Sequence, residues 1–175
     1  MSIRFARHQA EKLIQELEIE GPRVDVEAVA EALGLPIYYD DLGDPSVSGL
    51  LVSDGEDTAI FIKHDDASVR KRFSIAHEIG HHVLGHQFED GQVHVDRGHI
   101  ITPRDSRSST GEDPREVEAN QFAAALLMPQ NLIRARAVAL SKGSALRDDH
   151  VVRLAEEFEV SQQAMTIRLT TLGLL

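Results

Sequence analysis

The sequence predicts an α+β fold, a mostly helical single domain with a small antiparallel sheet packed beside one central helix. Three observations carry this reading. Apolar residues recur at three- and four-residue steps over much of the 175-residue chain, the pattern of helices that bury one face. Three short runs rich in β-branched and aromatic residues lie ahead of residue 63. The apolar stripe Phe73, Ala76, Ile79, Gly80, Val83 and Leu84 also carries the pattern His77-Glu78-x-x-His81, so the central helix is where the chemistry gathers.

The chain divides into three stretches of one domain. Residues 1–66 hold the N-terminal helices and the sheet. Residues 67–130 hold two site-bearing helices separated by a long polar loop at 87–114, and residues 131–175 hold C-terminal helices. The first helix spans 4–18, with Phe5, Ala10, Leu13, Ile14 and Leu17 on one side, and Gly21-Pro22 follows it. Asp25 suits the cap of a second helix that buries Val26, Val29, Ala30 and Leu33 and ends at Gly34. Strands are expected at 36–39, 49–52 and 58–62, the last two joined by a turn at 54–57.

Asp66 or Ser68 is expected to cap the central helix, and Gly85 to end it. Within the polar loop, Val93, Val95, Ile100 and Ile101 suit short strands. A connection this long in a compact domain serves as a lid or binding loop, or stays without structure. Pro114 opens a helix that runs from Arg115 to Met128 and ends before Pro129. Further helices are expected from Leu132 to Leu140, from a cap at Asp148 or Asp149 to Phe158, and from a cap at Ser161 to about Leu172.

Composition narrows the function classes. The chain has no cysteine, which excludes disulfides and thiolate metal sites and fits a reducing compartment. The start, Met1 to Arg7, is followed by charged residues rather than an apolar signal core. The longest apolar run, Phe122 to Met128, is far shorter than the roughly 20 residues a bilayer requires. A cytoplasmic setting without membrane association is therefore expected. A net charge of −11 opposes binding to nucleic acid, which needs a concentrated basic surface.

On a helix, His77 and His81 lie one turn apart on one face, beside the apolar stripe and at the border of the core. Two neutral imidazoles at that spacing suit one Zn²⁺ ion, and Glu78 next to them suits a general base acting on a water that the metal acidifies. That set hydrolyses amide bonds. HExxH alone fixes only three residues and arises by accident, with the histidines then mere surface groups. Its place on a strongly amphipathic helix favours the metal reading.

Catalytic zinc takes three protein ligands and keeps one position open. The arrangement with a Gly and a third His shortly after HExxH is excluded, because Leu84 and Gln87 occupy those places. His86 points the wrong way on the helix to reach the same ion. The helix 115–128 offers carboxylates instead. Glu116 shares a face with Asn120, Ala123 and Leu127, so it enters a buried setting where a metal partner offsets the cost of its charge. Asn120 suits a hydrogen bond to a ligand imidazole. Ala119, Ala123 and Ala124 allow close helix approach. Glu118 is the rival ligand by helical phase, and both acids also suit an ordinary solvated first turn. Two imidazoles and a carboxylate admit Zn²⁺, Mn²⁺ or another divalent ion.

Taken together, Arg72-Phe73-x-x-Ala76-His77-Glu78-x-Gly80-His81 and Glu116-x-Glu118-Ala119-Asn120-x-Phe122-Ala123-x-x-Leu126-Leu127-Met128-Pro129 resemble the ImmA/IrrE metallopeptidases. The likeness extends loosely to the Val24–Gly34 helix, the Ser48-Gly49 strand and a helix–Val160-Ser161–helix unit near the C-terminus. It implies a thermolysin-like, gluzincin-type core in which His77, His81 and Glu116 hold the metal, with Glu116 and Asn120 in the part of that class's second-helix motif. It also implies a protein substrate, a helix-turn-helix repressor of the Xre type, whose cleavage switches on phage, mobile-element or stress genes.

Weaker signals remain. The edge of the sheet, taken to be 58–62, suits a substrate bound as an added strand. Tyr38, Tyr39, His64 and His99 are candidate oxyanion donors, each more often structural. His82 and His86 are read as solvent-side residues. Residues 154–169 read like a helix-turn-helix whose second helix carries one cation, Arg168, which favours packing or protein docking over DNA reading. The alternative to a protease is a metal-containing module that sequesters a repressor without cutting it, or a regulator that binds DNA.

Overall fold

A computed structural model describes residues 2–54, 57–86 and 113–175, together with the backbone of 93–96. The chain folds as α1 (Ile3–Glu16), α2 (Val26–Ala32), β1 (Ile37–Asp40), β2 (Gly49–Asp54), β3 (Asp57–Lys63), α3 (Ser68–Val83), β4 (Val93–Asp96), α4 (Pro114–Leu127), α5 (Gln130–Ser141), α6 (Asp148–Glu157) and α7 (Gln162–Thr171). The expected α+β class is what the chain adopts, with helices predominating.

Local chemistry explains most of the boundaries. Asp25 caps α2 by accepting from the N–H groups of Glu27 and Ala28, and Ser161 caps α7 by accepting from Ala164. Pro114 stands at the first turn of α4, and Asp113, not singled out in the sequence, accepts from Arg115 N–H as its cap. The expected cap of the central helix is absent. Ala67 precedes α3 without a side-chain bond, Ser68 is already helical, and Asp66 instead pairs with Arg70 at 3.2 Å. Asp148 and Asp149 likewise lie inside the first turn of α6, where acids favour the helix dipole. Phe5, expected in the core, is 41% exposed, and Ala6 takes the buried place with Ala10 and Leu13.

The sheet has the order β1-β3-β2-β4. It is mixed, not purely antiparallel: β1 runs parallel to β3, while β2 pairs antiparallel with both β3 and β4. The 58–62 segment is therefore not an edge, because β3 has a neighbour on each side. The pattern of apolar runs does not show this, since periodicity reports which face a strand buries and not which strand it pairs with. Val93 and Val95 do fall in a strand, β4, whereas Ile100, Ile101, His99 and most of the 87–114 loop lie outside the described residues.

One face of the sheet supports the central helix. Gly49 is opposite Ile62 and Leu51 opposite Ile60, and all four are buried on the same side. On the other face, Tyr38 stacks on Phe61 with ring centroids 5.2 Å apart. The helix α3 packs between β2 and β3 on one side and α4 on the other, and α1 covers α4. Every residue from Ser74 to His81 is buried, so the middle turns of α3 are enclosed all round rather than along one stripe. Among the described residues no helix is long and apolar enough to cross a membrane.

Candidate metal centre

Two helices bring the expected donors together. His77 and His81 project from the enclosed part of α3, and Glu116 from the first turn of α4. One donor atom from each lies within 4.8 Å of the other two. The Nε2 atoms of His77 and His81 are 2.9 Å apart, and each is 3.4 Å from a Glu116 carboxylate oxygen. Both imidazoles are essentially inaccessible, while Glu116 keeps 18% of its side chain exposed. The cluster thus has a closed floor and a more open rim.

The hydrogen bonds behind the rings test whether this set fits a cation. His77 Nδ1 is 2.9 Å from Asn120 Oδ1, an acceptor, so the proton sits on Nδ1 and the Nε2 lone pair faces His81. His81 Nδ1 is 3.0 Å from His86 Nδ1, and His86 Nε2 is 3.2 Å from Glu118 Oε2. A carboxylate that accepts from His86 Nε2 leaves His86 Nδ1 as an acceptor, which draws the His81 proton to Nδ1. Both Nε2 lone pairs then meet the Glu116 carboxylate in one small space. Such a convergence of lone pairs is unfavourable without a positive charge, and two imidazoles with a carboxylate are a donor set for a divalent ion. The residues therefore fit a metal.

Glu78 is fully buried between these helices and the sheet. Its Oε1 lies against Gly49 of β2, where an added Cβ would stand only 3.2 Å away. The absence of a side chain at Gly49 is what gives the carboxylate room. Glu118, the rival ligand, is buried as well but is directed to His86 instead of the His77–His81 pair.

His82 is exposed, as expected, but His86 is not: its exposure is 8%. The reason is the way α3 ends. Gly85 adopts φ +63°, and the N–H groups of Gly85 and His86 bond back to the carbonyls of His82 and His81. That left-handed turn folds the residue after the glycine against the residue five before it, which sets His86 on His81. Burial pushes the His86 imidazole below its ordinary pKa, and Glu118 partly offsets this. The signal in the sequence was Gly85 itself, since a helix closed this way always brings those two positions together.

A model of the IrrE N-terminal-like domain, a peptidase family, matches residues 30–170. The chain belongs to this family. The match covers both motif helices, the sheet and nearly all of the C-terminal unit, so the resemblance of the two motif blocks extends to the chain at large. No curated protein matches it.

Other candidates of the sequence lie elsewhere in this family fold. Tyr39 donates to Glu27 of α2, Tyr38 stacks on Phe61, and His64 pairs with Asp65 at 2.9 Å. These partners account for them without reference to the metal cluster. Arg168, the cation of the helix-turn-helix-like unit, is 4% exposed and donates from Nε to the Met128 carbonyl at 3.0 Å. It closes the end of α4 against α7 and is not displayed on the surface.

Proposed function

We propose that this protein is a zinc-dependent endopeptidase that cleaves a helix-turn-helix repressor of the Xre type. The observation that carries the reading is the meeting of His77, His81 and Glu116 donor atoms in one buried cluster beside a buried Glu78. Membership of a peptidase family supports the reaction class. The resemblance of the two motif blocks to ImmA/IrrE proteins supports the repressor as substrate, and a net charge of −11 argues against DNA as the direct partner.

In this reading His77, His81 and Glu116 hold the ion. Bound there, a divalent ion supplies Lewis acidity to water and to the scissile carbonyl. Glu78 accepts the proton of the attacking water and later returns it to the leaving amine. Asn120 holds His77 in the tautomer that presents Nε2. Enclosure of the helix from Ser74 to His81 keeps bulk water from the floor of the site and strengthens each electrostatic contact.

The test is co-expression with a candidate Xre-type repressor, followed by mass spectrometry of that repressor. One defined cut, absent with Glu78→Gln, is the expected result. Loss of repression that persists with Glu78→Gln, with the repressor intact, would show sequestration instead of hydrolysis. Salt-dependent binding of the purified protein to operator DNA would favour a regulator.

A further inference from the structure

We infer that Glu118 and His86 form a relay that positions His81, holding its ring so that Nε2 faces the metal cluster. The inference rests on the metal reading above and extends it to two residues outside the donor set.

Three features of the structure carry it. The first is the geometry: Glu118 Oε2, His86 Nε2, His86 Nδ1 and His81 Nδ1 follow one another at 3.2 Å and 3.0 Å across the gap between α4 and the end of α3. The second is burial. The His86 and Glu118 side chains are 2% and 7% exposed, and a carboxylate and an imidazole enclosed together are costly unless each satisfies the other. The third is that the backbone puts them there. The left-handed turn at Gly85 presses His86 onto His81, with the rings edge to face and their centroids 4.9 Å apart.

The relay works by fixing protons. Glu118 Oε2 accepts from His86 Nε2, His86 Nδ1 accepts from His81 Nδ1, and the His81 lone pair is left on Nε2. His77 reaches the same state by a shorter route, through Asn120 alone. The two ligand histidines are thus steered from opposite sides, one by an amide and one by a buried carboxylate acting through a second imidazole. Glu118 and His86 are positioning residues, since neither belongs to the His77, His81 and Glu116 donor set.

The test is zinc affinity by competition with a chromogenic chelator, using the full chain and three variants. His86→Gln keeps an acceptor for His81 and a donor for Glu118, and is expected to bind zinc within about 3-fold of the parent. His86→Phe fills the space without either bond and is expected to lose about 10- to 100-fold, as is Glu118→Leu, which takes the acceptor away from His86 Nε2. Equal affinity of His86→Phe and the parent overturns the relay, as does an equal loss in His86→Gln and His86→Phe. Failure of the parent itself to bind zinc overturns the metal reading and the relay with it. Should His86→Phe not fold, long-range ¹H–¹⁵N spectra of the zinc-loaded parent decide. A proton on His86 Nε2 and on His81 Nδ1 supports the relay, and a proton on His86 Nδ1 overturns it.

Discussion

Gly80 of α3 and Ala119 of α4 meet backbone to backbone. A Cβ added to Gly80 would stand 3.2 Å from the Ala119 carbonyl oxygen, 3.3 Å from its Cα and 3.1 Å from the Phe122 ring. This contact sets the distance between the helix that carries His77 and His81 and the helix that carries Glu116.

Gly80→Ala should therefore separate the two donor sets. The substitution improves helix propensity by about 1 kcal/mol, but overpacking against backbone costs about 1–3 kcal/mol. A net loss on the order of 1 kcal/mol is expected in urea unfolding. Metal affinity should fall more than stability does, because Glu116 moves with α4. Unchanged zinc affinity in a folded variant would refute this role for the contact.

Gly49→Ala tests the other wall of the site. Its Cβ would press on Glu78 Oε1 at 3.2 Å and on Ser74 Cβ and Ile62 Cδ1 at 3.4 Å. Glu78 is the end that can shift. Peptidase activity is expected to drop by at least about 10-fold with zinc affinity held, since the metal donors are not touched. Parallel losses of both would place Gly49 in the scaffold instead.

Asn120→Ala removes the acceptor from His77 Nδ1, 2.9 Å away. A fall of about 10- to 100-fold in zinc affinity is expected, with the fold retained, because Asn120 is only half-buried. Calorimetric titration with zinc, beside circular dichroism of the same sample, checks both halves of the statement.

Removal of the metal should lower the unfolding temperature. The donors come from α3 and α4, far apart in the chain, so the ion binds the folded state and not the unfolded one. At free zinc of about 100 times Kd the linkage is worth about 2.7 kcal/mol. A chelator is expected to lower the midpoint of the parent and to leave that of His77→Ala, His81→Ala doubly substituted protein unmoved. Equal shifts in both would show that the chelator acts elsewhere.

Arg168→Ala should destabilise the protein by about 2 kcal/mol in urea, because it strips the Met128 carbonyl of a charged donor in a buried place. A change within about 0.5 kcal/mol, the ordinary range for surface substitutions, would mean that the side chain is not held there.

The local sequence by itself determined the helices, their glycine and proline boundaries, and the pairing of His77 with His81. These follow from residues three to five apart, and a helix makes such neighbours touch whatever lies around it. It also narrowed the third donor to the first turn of α4, but helical phase left Glu116 and Glu118 both open. Only the tertiary structure separated them. The close approach at Gly80 and Ala119 sets the rotation of α4 so that Glu116 faces the two histidines and Glu118 faces His86. The parallel seat of β1, the interior place of β3 and the burial of His86 were decided at the same level. Each depends on partners distant in the chain, and periodicity carries no information about which distant partner a face will meet.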